Sequence, residues 1–283
     1  MKYQFYKLQG AGNDFIFFEE LKYGTIPPDP EKLSRELCKR NFSIGGDGII
    51  FLVKSDSADA KMIIYNSDGS RAKMCGNGIR CAARLMFELG LVHGGSVVID
   101  SDSGLRTIKV TCVNGEFLSA STDMGVPEFT PENIPVLSHS SDGIQFDFPE
   151  YGRIEVSCVS MGNPHAVAIV ENARELDISK LGPYIETSPI FPDRTNTEFI
   201  TVLSENEIDF RVWERGCGET LACGTGICAA AAVTVKKGLC RCDSPITVHA
   251  PGGELEALCS SNGHIYLTGP AEFIYKGEIE IHG

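Results

Sequence analysis

The sequence predicts an α+β fold of two pseudo-symmetric halves, each a sheet curled around one central helix. Three observations predict it. First, two segments share one shape: Met74-Cys75-Gly76-Asn77-Gly78-Ile79-Arg80-Cys81-Ala82-Ala83 and Ala222-Cys223-Gly224-Thr225-Gly226-Ile227-Cys228-Ala229-Ala230-Ala231. Each sets a cysteine before a Gly-x-Gly turn that opens an alanine-rich run. Second, short strand-like runs bounded by turn residues dominate both halves. Third, the run Ile227 to Val233 is small and apolar with no polar face. Such a helix is buried on all sides, and a strand-rich domain buries it by wrapping a sheet around it.

The repeat extends past the cysteine turns. Asn13 lies 62 residues before Cys75, and Asn163 lies 60 before Cys223. Tyr65-Asn66 and Trp213-Glu214 begin ten residues before their cysteines. Gly48 and Asn196 lie 27 before, Gly104 and Gly252 lie 29 after. A period near 148 residues is that of a duplicated domain, not a solenoid.

In order, strands are expected at Gln4 to Leu8, Ile49 to Val53, Lys61 to Tyr65, Ser96 to Asp100, Thr107 to Cys112 and Phe117 to Thr122. The rhythm returns at Arg153 to Val159, Ala166 to Ile169, Glu198 to Leu203, Ile208 to Trp213, Ile246 to His249, Leu255 to Cys259 and Ile265 to Thr268. Helices are expected at Pro30 to Arg40, with Asp29 as cap and Pro30 at the first position. Two more run from Asn77 to Leu89 and from Thr225 to Lys237, each ending at a glycine. Met124 to His139, with Pro127, Pro131 and Pro135, reads as the linker. The expected domains are residues 1–123, carrying Cys75, and 124–270, carrying Cys223.

The chain has 283 residues, room for two ordinary domains. A formal net charge of -13 argues against general binding to nucleic-acid phosphates or anionic lipid. No apolar run reaches membrane-spanning length, and Met1 to Leu8 alternates like a strand instead of forming a signal-peptide core. Eleven cysteines, an odd number, without an export signal place the chain in the reducing cytoplasm. There is no Cys-x-x-Cys, and Cys240-Arg241-Cys242 has no His-rich partner segment, so no metal site is expected. Cys38, Cys81, Cys112, Cys158, Cys228 and Cys259 read as small buried hydrophobes.

Cys75 and Cys223 differ from these by lying at helix starts, where unpaired N–H groups and the helix dipole favour a thiolate. Two such thiols facing one ligand could remove a proton from one side of a carbon and return one from the other. The proton alpha to an amino-acid carboxylate is very weakly acidic, so donors must stabilise the charge that develops there. Helix N-termini offer such donors. Asn13, Asn66, Asn77, Asn163 and Asn196 supply amides, which suit both ends of a zwitterion. Glu214-Arg215 breaks the symmetry at the position of Asn66-Ser67. Arg215 could fork a carboxylate, and Glu214 could accept from an ammonium; a surface ion pair is the alternative. His165 could tune a nearby thiol or be a structural histidine. His93, His139, His249, His264 and His282 lack such a context.

On these residues the chain resembles diaminopimelate epimerase. The matching stretches include Gly10-Ala11-Gly12-Asn13-Asp14-Phe15, Gly45-Gly46-Asp47-Gly48, Asn66-Ser67-Asp68-Gly69-Ser70, Met161-Gly162-Asn163-Pro164-His165-Ala166, Asn196-Thr197-Glu198-Phe199 and Glu214-Arg215-Gly216-Cys217-Gly218-Glu219-Thr220, besides the two cysteine turns and Leu267-Thr268-Gly269-Pro270-Ala271. The resemblance implies two mixed β-barrels, each around one helix, with the substrate held between them and the last strand, in residues 271–283, returning to the first. It implies epimerisation of LL- to meso-diaminopimelate, an amino acid substrate, in lysine and peptidoglycan precursor biosynthesis. No pyridoxal phosphate, metal or other cofactor is implied, and some members are homodimers. Cys75 and Cys223 would be the acid and base. Asn13, Gly48, Asn66, Gly76, Asn77, Asn163, Asn196, Glu214, Arg215, Gly224 and Thr225 would contact substrate, and His165 and Glu214 would tune the thiols.

Two positions depart from the family pattern. Some members have glutamine where Gly48 aligns, leaving only backbone contact here. Cys217 stands where alanine is expected, either neutrally or as a third thiol open to oxidation. The proline and hydroxyproline racemase group is a near rival, but its first motif usually has histidine after Cys-Gly, where this chain has Asn77. A non-catalytic amino acid binding protein would not need both cysteines.

Overall fold

Burial on both faces explains the first feature that alternation does not announce. In the computed structural model, which describes residues 1–281, the run Asn13–Glu19 is a strand, β2, between β1 (Lys2–Gly10) and β3 (Gly48–Val53). Phe15 and Phe17 join one apolar cluster and Ile16 and Phe18 another. With apolar groups packed on both faces, the strand shows no polar-apolar alternation.

By its contacts the chain divides into two units, Met1–Thr122 with Thr268–Gly283, and Asp123–Leu267. The first contains β1 to β3, then β4 (Ala60–Asn66), β5 (Arg71–Ala72), β6 (Gly95–Ser101), β7 (Gly104–Val113) and β8 (Glu116–Asp123). Its helices are α1 (Pro30–Leu37) and α2 (Gly76–Glu88). The second contains β9 (Ile144–Phe148), β10 (Gly152–Ser160), β11 (Pro164–Ile169), β12 (Asn196–Ser204), β13 (Glu207–Glu214), β14 (Gly218–Thr220), β15 (Pro245–Ala250), β16 (Gly253–Cys259) and β17 (Ile265–Gly269). Its helices are α3 (Ile178–Glu186) and α4 (Gly224–Lys236). The last strand, β18 (Glu272–Glu280), pairs antiparallel with β1.

Strand pairing repeats in the same sequence of senses. β1/β2 is antiparallel, β2/β3 parallel, β3/β4 and β4/β5 antiparallel, β4/β6 parallel and β6/β7 antiparallel. β10/β11, β11/β12, β12/β13, β13/β14, β13/β15 and β15/β16 follow the same order. At the edge, β9 lies against β10 as β18 lies against β1. The repeat read from the cysteine turns is thus a repeat of mixed-sheet topology, and the α+β fold of two pseudo-symmetric units is present.

Each sheet curls about its helix. α2 packs against β1, β2, β7 and β18, and α4 against β10, β11, β12 and β16. These strands come from opposite ends of the pairing order, so the sheet must bend around the helix to bring them there. In α4 every residue from Gly226 to Thr234 is buried. Its four consecutive alanines, Ala229 to Ala232, let the surrounding strands approach closely. α2 buries Arg80 to 1 % exposure, a cation whose partners lie at the helix start and in Pro270.

Asp29 caps α1 by accepting from the Lys32 amide, at a φ of 54°. α3 lies outside the three expected helices; it holds Pro183 within it, and Ile178, Leu181 and Ile185 give it an apolar stripe. The segment 124–139 is more than a tether: Ile134 and Val136 are buried in the core of the second unit. His282 lies outside the described residues.

Candidate active site

Each cysteine turn becomes a helix start. Cys75 is the N-cap of α2, with φ -144° and ψ 118°, and its sulfur accepts from the Gly78 amide at 3.3 Å. Cys223 is the N-cap of α4, with φ -117° and ψ 113°. The short strands β5 and β14, each hairpinned onto the preceding strand, deliver the chain to these caps.

Around Cys75 the first unit assembles Asn13, Asn77, Asp47 and Arg80. Cys75 Sγ lies 3.6 Å from Asn13 Oδ1, and Asn77 Nδ2 lies 3.5 Å from the same oxygen. Asn13 Nδ2 donates to Asp47 Oδ2 at 2.6 Å, and Arg80 donates to Asn77 Oδ1 at 2.7 Å. Asp47 also accepts from the Asp14 amide and pairs with Arg40. Asp14 in turn pairs with Arg40 and the buried Lys7, whose hydrogen bonds and charges hold its carboxyl below the usual carboxylate range despite burial. The motif Gly45-Gly46-Asp47-Gly48 pointed to Gly48 and not to Asp47, whose role depends on the β2/β3 pairing.

Gly48 opens β3 opposite Asn66 and beside Phe15. A Cβ there would stand 2.6 Å from the Tyr65 carbonyl oxygen, so the local backbone admits only glycine. Asn66 is exposed and donates to Ser70 Oγ at 2.9 Å across the turn before β5.

Around Cys223 the second unit assembles a different set. Cys223 is 7 % exposed, and its sulfur lies 3.4 Å from Thr225 Oγ1. A helix start alone favours thiolate, but here burial, then Glu214 and Glu198, push the thiol well above its ordinary value. The opposing hydrogen bonds from Thr225 and the Gly226 amide do not overcome them. The expected thiolate bias therefore does not hold at Cys223. Glu214 accepts from Thr220 Oγ1 at 2.5 Å.

His165 is fully buried, with Nδ1 2.7 Å from Glu198 Oε1 and Nε2 3.1 Å from Asn163 Oδ1. Both ring nitrogens are thus occupied by groups other than a thiol. Asn196 spends its amide on backbone, donating to the Pro164 carbonyl at 2.9 Å and accepting from the Arg215 amide at 3.0 Å. Arg215 is exposed, and its guanidinium donates to the Asp193 carbonyl at 2.8 Å. Gly76, Gly224 and Thr225 lie in the first turns of the two helices. Glu198 was not singled out in the sequence, where it looks like one more strand residue.

Cys217 is exposed. Among the described residues, no group of three His, Cys, Asp or Glu side chains could hold a metal ion, and no helix is long and apolar enough to cross a membrane.

Two units of mixed strands, each curled about a cysteine-capped helix, define a class of fold shared with amino acid racemases and epimerases. A probable proline racemase from Agrobacterium radiobacter K84 superposes with a TM-score of 0.73 over 99 % of this chain and 93 % of that one, at 17 % identity. At that identity the likeness speaks for the fold alone. Within the class, the sequence is decisive: the diaminopimelate epimerase family model matches residues 5–130 and 157–274. Diaminopimelate epimerase of Desulfitobacterium hafniense is 42 % identical over 273 residues, 96 % of each chain. That of Halothermothrix orenii is 42 % identical over 286 residues, 99 % of each. The chain belongs to the diaminopimelate epimerase family.

Proposed function

We propose that the chain epimerises LL-2,6-diaminopimelate to meso-diaminopimelate by proton transfer between two thiols, Cys75 and Cys223, without a cofactor. The observation that carries this reading is the duplication of a cysteine N-cap on a buried helix, with different polar surroundings in each copy.

Inversion at a carbon needs a base on one face and an acid on the other. A thiol can serve as the acid and a thiolate as the base. The Gly78 amide donating to Cys75 Sγ supports negative charge on that sulfur, while burial and the Glu214 carboxylate support a proton on Cys223. In one direction Cys75 takes the alpha proton and Cys223 returns one to the opposite face. In the reverse direction the roles exchange. Amides of Gly76, Asn77, Gly224 and Thr225 belong to helix starts, which suit a carboxylate whose charge grows as the proton leaves.

Asn13, Asn66, Asn163 and Asn196 complete the binding set, with Gly48 contributing backbone alone. Arg215 takes the carboxylate at the far end, and Glu214 an ammonium. His165 and Glu214 adjust the two thiols through the groups beside them. We further assign the chain to the reducing cytoplasm, in keeping with its eleven cysteines and their odd number, and to a homodimer. The test is incubation of the purified protein with LL-diaminopimelate after exhaustive chelation and without pyridoxal phosphate. Chiral chromatography should show meso-diaminopimelate; activity that appears only on adding a metal or pyridoxal phosphate would contradict the reading.

A further inference from the structure

Two asparagines at the same place in the two units have their amides oriented in opposite senses. In the first unit, Asn13 Nδ2 donates to Asp47, so Oδ1 is the end beside Cys75. In the second, it is Asn163 Oδ1 that meets His165 Nε2, at 3.1 Å. Oxygen on that side requires a proton on Nε2, since a carbonyl oxygen only accepts. The tautomer of His165 therefore decides which end of Asn163 is left for a ligand.

The group that faces the other ring nitrogen is Glu198, with Oε1 2.7 Å from Nδ1. Glu198 is 0 % exposed, and its Oε2 has no hydrogen-bond partner. A buried carboxylate needs donors on both oxygens, and an orphaned anionic oxygen is far costlier than the carbonyl oxygen of a neutral acid. The other titratable groups facing it are Glu214 on β13, Cys223 at the start of α4 and Cys158 on β10. None brings a positive charge. Burial, the largest influence, and the Glu214 carboxylate raise the Glu198 carboxyl above its ordinary value, against the opposing pull of His165.

The fold itself does not require this pair. In the β11/β12 register His165 stands opposite Asn196, and in the β2/β3 register Phe15 stands opposite Gly48. Two residues further on, Glu198 and Ile50 occupy matched positions. A Cβ on Gly226 would meet Glu198 Oε1 at 2.6 Å, and one on Gly78 would meet Ile50 Cδ1 at 2.8 Å. Phe15 and Ile50 fill in the first unit the space that His165 and Glu198 fill in the second.

We propose that Glu198 is a positioning residue: protonated, it donates to His165 Nδ1, fixes His165 as an Nε2–H donor to Asn163 Oδ1, and leaves the Asn163 NH2 for a ligand carboxylate. Asn13, held by Asp47, offers the opposite end, an acceptor for an ammonium. The assignment of ligand groups rests on the epimerase reading; the tautomer does not.

The test is nitrogen-15 NMR of the histidine rings, with His165 assigned by its loss in His165→Asn. The wild-type protein at neutral pH should show a neutral His165 with the proton on Nε2. An imidazolium, or a proton on Nδ1, overturns the proposal whatever the turnover shows. Glu198→Gln, whose amide can also donate to Nδ1, should keep the tautomer. Glu198→Ile, the residue type of the first unit, should lose it, and an unchanged tautomer there also overturns the proposal. If Glu198→Ile does not fold, the wild-type and Glu198→Gln spectra still decide. With diaminopimelate, Glu198→Ile should lose about ten- to hundredfold in kcat/KM, the scale of a lost orienting partner, with Glu198→Gln recovering part of it. If no variant or wild type turns over diaminopimelate but the tautomer is as stated, the substrate reading fails and the positioning role stands.

Discussion

Asp47 Oδ2 accepts from Asn13 Nδ2 at 2.6 Å, and that contact orients the amide beside Cys75. Asp47 has only acceptor oxygens when ionised, so it cannot pair with the carbonyl end of Asn13. Arg80, with only donors, does the converse for Asn77. Neither charge needs to touch substrate to set what substrate meets.

Asp47→Ala should therefore weaken catalysis while leaving the fold intact. We expect a drop of about ten- to hundredfold in kcat/KM, as for other lost orienting partners. Arg40→Ala, which removes an exposed partner of Asp47, should cost much less. Steady-state kinetics with unfolding curves as control measure both. Equal effects from the two variants would show that the ion pair matters and the amide orientation does not.

Close approach at three glycines makes a graded prediction for stability. Gly182→Ala would place a Cβ 2.2 Å from Trp213 Cγ, part of a rigid ring. Gly226→Ala meets Glu198 Oε1 at 2.6 Å, and Gly78→Ala meets Ile50 Cδ1, a flexible methyl, at 2.8 Å. Overpacking costs about 1–3 kcal/mol, occasionally more. Urea unfolding should rank Gly182→Ala worst and Gly78→Ala mildest. Equal stabilities would mean that these contacts relax freely.

Buried thiols give the stability an alkaline limit. Burial pushes Cys81 from the ordinary thiol value of 9.0 up to about 12, with Cys38, Cys158 and Cys259 alike. A folded value above the unfolded one means stability is fully present below pH 9 and is lost as pH rises toward 12. Cys81→Ala should flatten that decline, with the difference read from denaturation midpoints at pH 8 and 10.5. A variant that loses stability as steeply as wild type over that interval would assign the decline to other groups.

Cys223 is expected to react slowly with iodoacetamide at pH 8, and exposed Cys217 quickly. Glu214→Gln removes a carboxylate that raises the Cys223 thiol, so its alkylation should begin at lower pH. Peptide mapping across a pH series resolves each thiol. A Cys223 profile unmoved by Glu214→Gln would show that the Glu214 carboxylate does not set this thiol.

Much of this was legible in the chain, because duplication writes the same landmarks twice. The cysteine turns mark both helix starts, and the strand rhythm marks most of both sheets. What sequence did not reveal has physical causes. β2 is packed on both faces and so lacks alternation. α3 passes through Gly182-Pro183, residues of low helix propensity, and Trp213 fills the space a side chain on Gly182 would take. Asp47 and Glu198 act on Asn13 and His165 across neighbouring strands, and spacing along the chain does not report such pairings. The high-lying thiol of Cys223 arises from burial and from the Glu214 carboxylate on β13, which outweigh the helix start.

The central claim is that two thiols exchange the alpha proton of one substrate. Its most direct measurement is turnover of LL-diaminopimelate in deuterium oxide, with proton NMR following the alpha positions and chiral chromatography following the products. The account predicts that wild-type protein forms meso-diaminopimelate carrying solvent deuterium at the inverted carbon, and that Cys75→Ala and Cys223→Ala each form none. Epimerisation by either alanine variant at a rate near wild type would contradict it.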